Sequence, residues 1–289
     1  MKKLIAITAF LFVATGSVHV MAQKNVQEFS AYAGGGFSTL MYKPLLGNRS
    51  GGGGVDFGLG YTYGFTRERV TDAKSIFSER FGIYTGIGFG FYSASAKVAD
   101  EYKSPNQIDS DGDEFDLTTT LSGYKEKQKT VFLNIPVMGE YHLEPFYVRA
   151  GLKFGIPLSG KYSAKDATFK NISEYPKYES KITDIEWLSC GEFTKDVGGD
   201  VDLGVAVMVA LEAGYKYRLK SNVVLYGGVY LDAGVNNVAK KNSESSLLLV
   251  NYDKGNPSEF TTNSVMSSFA DKTKIMAVGV KVQVAWMPF

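Results

Sequence analysis

Eight stretches of the chain alternate large apolar residues with small or charged ones over the length of a membrane crossing. In the clearest, Val55, Phe57, Leu59, Tyr61, Tyr63 and Phe65 interleave with Asp56, Gly58, Gly60, Thr62, Gly64 and Thr66. Period two means a strand whose two faces differ in chemistry. The pattern predicts strands at about 28–42, 54–66, 80–96, 129–142, 146–160, 203–219, 223–237 and 273–288. Behind an export signal, eight such strands predict an all-β fold: an eight-stranded antiparallel up-and-down transmembrane β-barrel, with short periplasmic turns and long extracellular loops.

The export signal is legible at the start. Lys2 and Lys3 form a basic region, Leu4 to Val13 an apolar one, and Val20, Met21 and Ala22 a cleavage site. Residues 1–22 are therefore expected to be a cleaved signal peptide, and 23–289 a single barrel domain. The stretch 18–22 has no Cys, which argues against a lipoprotein anchor. No later segment is apolar for about 18 consecutive residues, so any crossing falls to strands. A net charge of +1 gives no bulk attraction to nucleic acid. The one cysteine, Cys190, has no partner for an internal disulfide and reads as an unreactive thiol in a loop.

Which face meets lipid follows from volume. An eight-stranded barrel has an interior just wide enough for side chains. Five or six large apolar residues per strand would overfill it, whereas the glycine-rich opposite face would fit. Phe, Tyr, Leu and Val therefore point outward. Tyr63, Phe65, Phe81, Tyr141, Phe146, Tyr215, Tyr217 and Trp286 gather near the periplasmic strand ends as an interfacial girdle. The inward face carries Asp56, Arg80, Glu140, Arg149, Lys153, Glu212, Lys216, Arg218, Asp232 and Lys281. Isolated buried charges are costly, so these are expected to pair and plug the lumen. A gated ion path is the functional alternative.

Turns at 142–146 and 219–223 are tight, while 97–128, 161–202 and 238–272 are long and polar. The connection 67–79 breaks the alternation, being long and charged where a short turn is due. Mid-strand Pro136 predicts a bulge or a missing ladder bond. The loop aromatics Tyr162, Tyr175, Tyr178, Trp187, Tyr252 and Phe260 read as anchors for a surface partner. Strand extensions above the membrane, or a hairpin within 161–202, account for them equally well.

Three motifs bear on chemistry. Asp109, Asp111, Asp113 and Asp116 place oxygen ligands at alternate positions, as a weak Ca²⁺ site in 97–128 would require. A solvated acidic loop is the plainer reading, since Glu114 stands where the EF-hand pattern wants Gly. His142 is the only histidine after the signal peptide, and its periplasmic position is wrong for a rim catalytic site, so no enzyme activity is expected. The glycine runs 34–36, 51–54 and 86–90 are not phosphate cradles, because no helix follows them.

Leu133, Asn134, Ile135, Pro136 and Val137, a tight turn, then 146–155 with its Ala150–Gly151 step together resemble the PorT-like, OmpA-like outer membrane protein β-barrel domain family of Gram-negative bacteria. The resemblance covers the mature chain. It implies an outer-membrane location, no catalytic residues and no cofactor. It also implies a structural or surface-binding role through the loops, with accessory service in envelope secretion or assembly, or a narrow channel, as alternatives. The partners implied are outer-membrane lipid and lipopolysaccharide, the barrel-assembly machinery reading terminal Phe289, and an extracellular or envelope protein.

Overall fold

A computed structural model describes residues 24–43, 47–71, 75–99, 101–220, 222–240, 249–252, 259–269 and 272–288. The signal peptide and Phe289 lie outside the described residues. Eight strands form a ring: β1 (Lys24–Met41), β2 (Asn48–Thr71), β3 (Ser75–Val98), β6 (Tyr124–Leu143), β7 (Phe146–Tyr175), β10 (Ala206–Lys220), β11 (Val223–Gly234) and β14 (Lys274–Trp286). Each pairs antiparallel with its neighbours in the ring. β14 returns to β1 (Phe29 opposite Trp286), and β7 closes on β10 (Phe146 opposite Tyr215). Closure removes the free strand edges that an open sheet would expose to hydrocarbon. Among the described residues no helix is long and apolar enough to cross a membrane.

The alternation sorts as volume required. Phe81, Ile83, Ile87, Phe89 and Phe91 are exposed on the outer wall, as are Val278, Val280, Val282, Val284 and Trp286. Tyr84, Arg149, Lys281 and Gln283 are buried in the bore. Outer aromatics pair at the periplasmic end: Phe29 with Trp286, Phe81 with Tyr141, and Phe146 with Tyr215. Rings of this kind favour the membrane interface.

The connection 67–79 is no loose turn. β2 and β3 simply continue past the barrel rim, paired from Arg67 opposite Glu79 to Thr71 opposite Ser75. Pro136 keeps its register opposite Lys153 of β7. Toward β3 the ladder pairs Thr85 with Val137 and resumes at Gly88 with Asn134, with no register shift. The proline thus interrupts the ladder on one side without a bulge there, because it lacks only the N–H. The nearby bulge falls between Val131 and Phe132, opposite Pro157.

Above the membrane the long loops are folded. β4 (Glu101–Ile108) and β5 (Glu114–Ser122) form a hairpin that pairs with the upper part of β7. β8 (Ser180–Ile182) and β9 (Gly191–Asp200) pair with β7 as well. The region 238–272 contributes a small hairpin, β12 (Val250–Tyr252) with β13 (Phe260–Thr262), and one turn of helix, α1 (Val265–Phe269).

Candidate functional site: the sealed bore and its extracellular cap

The bore holds two ion networks. In the periplasmic half, Arg80 pairs with Glu28 (2.5 Å) and Glu140 (2.6 Å). Arg149 pairs with Glu140 (2.6 Å) and Glu212 (3.0 Å), and Lys281 with Glu212 (2.6 Å). Tyr226 donates to Glu28, Tyr147 to Glu212, and Arg149 to the Gln283 carbonyl oxygen. The Arg149 guanidinium also lies 4.2 Å from the Tyr84 ring centroid. Nearer the extracellular side, Lys153 bridges Asp56 (3.0 Å) and Asp232 (2.6 Å). These groups come from β1, β2, β3, β6, β7, β10, β11 and β14, so all eight ring strands are tied at the axis. A buried charge set is tolerable only when its charges are paired, as here, although Arg80 Nε, Arg149 Nη2, His142 Nδ1 and Gln283 Nε2 find no hydrogen-bond partner among the described residues.

Eight of the ten sequence-predicted lumen charges meet here. Lys216 and Arg218 do not. Lys216 pairs with Glu144 (2.7 Å) beside the periplasmic turn, and Arg218 is exposed. Their strand parity is right, but they stand near the periplasmic end of β10, past the ion networks, where Lys216 finds Glu144 beside the turn. Glu28 was missing from the predicted set, although it shares the inward parity of Ser30 and Tyr32. His142 is fully buried, with Nε2 2.5 Å from Glu140 and 3.1 Å from Arg80. It is a member of the plug, and no substrate reaches its ring in this conformation.

Over the polar networks the inward residues turn apolar. Leu40, Tyr42, Tyr92, Phe132, Tyr162, Phe169, Leu203 and Met208 form one core with Leu249, Val250, Phe260, Val265 and Met266 of the 238–272 region. The described parts of that region, 249–252 and 259–269, are folded down over the mouth as a cap. Its latch is Glu126 on β6, fully buried. The carboxylate accepts from Ser264 Oγ, Gln128 Nε2 (2.7 Å), Tyr124 OH (3.0 Å) and the Val265 amide (3.0 Å). Burial pushes its pKa above the ordinary carboxylate value, and these hydrogen bonds offset only part of that. Lys195 of β9 fastens the other side, donating to the Phe260 carbonyl (2.9 Å) with its ammonium over that ring.

The loop aromatics therefore divide. Tyr162 donates to the Thr262 carbonyl inside the cap, and Phe260 is buried beside Phe169 and Phe193. Tyr178 stands 53% exposed at the top of the sheet. The side chains of Trp187 and Tyr252 lie outside the described residues. Cys190 is buried with its thiol against Ser173, and burial raises its pKa.

The acidic turn is engaged by protein donors. Asp109 accepts from the Asp111 and Asp113 amides and from Tyr175 OH (3.2 Å). Asp113 accepts from Lys177 (2.9 Å) and Tyr178 OH (2.8 Å), which hold its carboxyl below its usual pKa. Asp116 pairs with Lys103 (2.9 Å). Among the described residues no three His, Cys, Asp or Glu side chains converge to hold a metal. Asp109 and Asp113 thereby fasten the β4–β5 hairpin to Tyr175 and the Pro176–Tyr178 turn.

Comparison with known proteins places this architecture. The family model described as outer membrane protein beta-barrel domain matches residues 21–240. No curated protein matches. Among solved structures, Ail, the attachment invasion locus protein of Yersinia pestis, crystallised with the heparin analogue sucrose octasulfate, is 12% identical. The alignment covers 91% of this chain and 98% of that one, with a TM-score of 0.26. The outer membrane protease OmpT of Escherichia coli is also 12% identical, covering 94% and 100%, with a TM-score of 0.28. Likeness at that level transfers neither residues nor activity.

Proposed function

Because this chain belongs to the outer membrane protein β-barrel domain family, and so to the bacterial outer membrane, we propose that it is a non-conducting barrel that presents a folded extracellular sheet to a surface partner. One observation carries this reading: the bore is filled twice over, by ion networks and by an apolar cap, beneath a built platform of β4, β5, β7, β8 and β9. A transport path would need mobile or solvated charges along the axis. Here each lumen base holds at least one carboxylate within 3.0 Å. The platform packs one face on the cap, through Phe115, Leu117 and Phe169, and turns its other face outward, with Lys103, Lys177 and Tyr178 exposed at the top. Exposed structure on a rigid scaffold is where binding residues concentrate.

The test has two readings from one preparation. Folded protein in planar bilayers should give no conductance steps. Cells displaying the full chain should adhere to immobilised matrix proteins or to one another more than cells displaying a chain without 101–122. Regular conductance steps would overturn the reading in favour of a channel, and equal adherence would remove the platform's role.

A further inference from the structure

The outer wall carries a lysine cluster just above its apolar band. Along β6, Lys125, Lys127 and Lys129 are all exposed on the outward face, above Val131, Leu133, Ile135 and Val137. Across the ladders, Lys129 faces Lys161 of β7, and Lys125 faces Lys97 of β3. Like charges directly opposite each other destabilise a sheet. Asp200 lies across from Lys161 on β9. Even so, among the described residues none of these five ammonium groups has a carboxylate within 4 Å. The cluster thus has no carboxylate counter-ion among the described residues.

Directly below it the wall is dented. The glycine run 51–54 takes side chains off β2, and a bulge between Gly51 and Val55 shifts its register. The result is an open groove of about 440 Å³, floored by Gly53 and Gly54 and flanked by Val55, Phe91 and Val131, with Lys129 at its upper end. Its lower part lies in the lipid-facing band, since Val55 and Phe91 are exposed there. A groove of apolar walls inside the membrane, headed by paired ammonium groups at its edge, matches one chemistry: an acyl chain joined to a phosphorylated headgroup.

We infer that the outer wall of β1, β2, β3, β6 and β7 binds a phosphorylated, acylated lipid of the outer leaflet, its phosphate on Lys127, Lys129 and Lys161 and a chain in the glycine groove. The site rests on the outer-membrane location and not on the loop partner. It stands or falls independently of conductance and adherence.

Native mass spectrometry of the full folded chain released from a zwitterionic detergent tests it, with bisphosphorylated lipid A, phosphatidylethanolamine and inorganic phosphate as separate probes. Lipid A should be retained one to one and the other two far more weakly. Lys127→Gln, Lys129→Gln and Lys161→Gln together should weaken lipid A binding about a hundredfold, at the scale of surface attraction for three lysines. Gly53→Leu should weaken it about tenfold by filling the groove. A Cβ at Gly53 meets only the Gly36 carbonyl, at 3.9 Å, so the barrel should fold. Lipid A retained equally by both variants would overturn the site. So would phosphatidylethanolamine or inorganic phosphate held as tightly, or a loss confined to the lysine variant.

Discussion

At the scale of single residues, the plug turns on Arg149. It is fully buried and reaches Glu140, Glu212 and Gln283 from one guanidinium. Removing one partner of a buried pair leaves the other charge uncompensated, a loss of about 3–5 kcal/mol. Arg149→Met should therefore lower barrel stability by that order, read from urea unfolding of the folded protein in detergent. Arg149→Lys should recover little, because an ammonium does not span the fork geometry. Gly60 is the second sensitive point. A Cβ there would stand 2.6 Å from the Tyr84 ring, which stacks on Arg149. Gly60→Ala should destabilise the barrel, whereas a comparable change at Gly227, where a Cβ meets nothing within 4 Å, should not. The same urea unfolding measures both.

Among elements, the cap depends on Glu126. Its folded pKa is raised, so the folded cap takes up a proton more readily than the open loop does. The corresponding stability is fully present below the ordinary value of 4.5 and is lost as pH rises through the raised one. Protease cleavage within 238–272 should therefore speed up on going from acid to neutral pH. Glu126→Gln should flatten the dependence. Comparing the two chains at each pH removes the protease's own pH profile, and parallel profiles would show that Glu126 does not latch the cap.

The ring strands were legible because lipid on one side and a narrow bore on the other enforce strict alternation in Val55–Phe65 or Val278–Trp286. The cap was not. Leu249, Val250, Val265 and Met266 lie in a polar-looking region, and their burial depends on which mouth they fold into, a long-range fact. β5 did carry a signal, Phe115, Leu117 and Leu121 at even spacing, but it is too short to read as a crossing. Lys216 and Arg218 were misplaced for a related reason: parity runs on past the ion networks, and periodicity does not mark where the plug stops.

For the whole molecule, the bore has two seals in series. Deleting 241–271 should leave planar-bilayer conductance at background, because Lys153, Arg149 and Arg80 still fill the axis. Conductance should appear only when the lumen charges are also truncated. Conductance after the loop deletion alone would mean that the ion networks do not obstruct the bore.

The measurement that bears most directly on a closed eight-stranded ring is a cross-link at the seam, where β7 meets β10. Leu152 and Val209 face each other there on the outer wall. Paired strand residues lie about 4.5–5.5 Å apart at Cα, within disulfide reach. In a chain carrying Cys190→Ser, Leu152→Cys and Val209→Cys, oxidation should give an intramolecular bond and a reductant-sensitive mobility shift after boiling. Intermolecular dimers alone, or no bond, would contradict the closed ring.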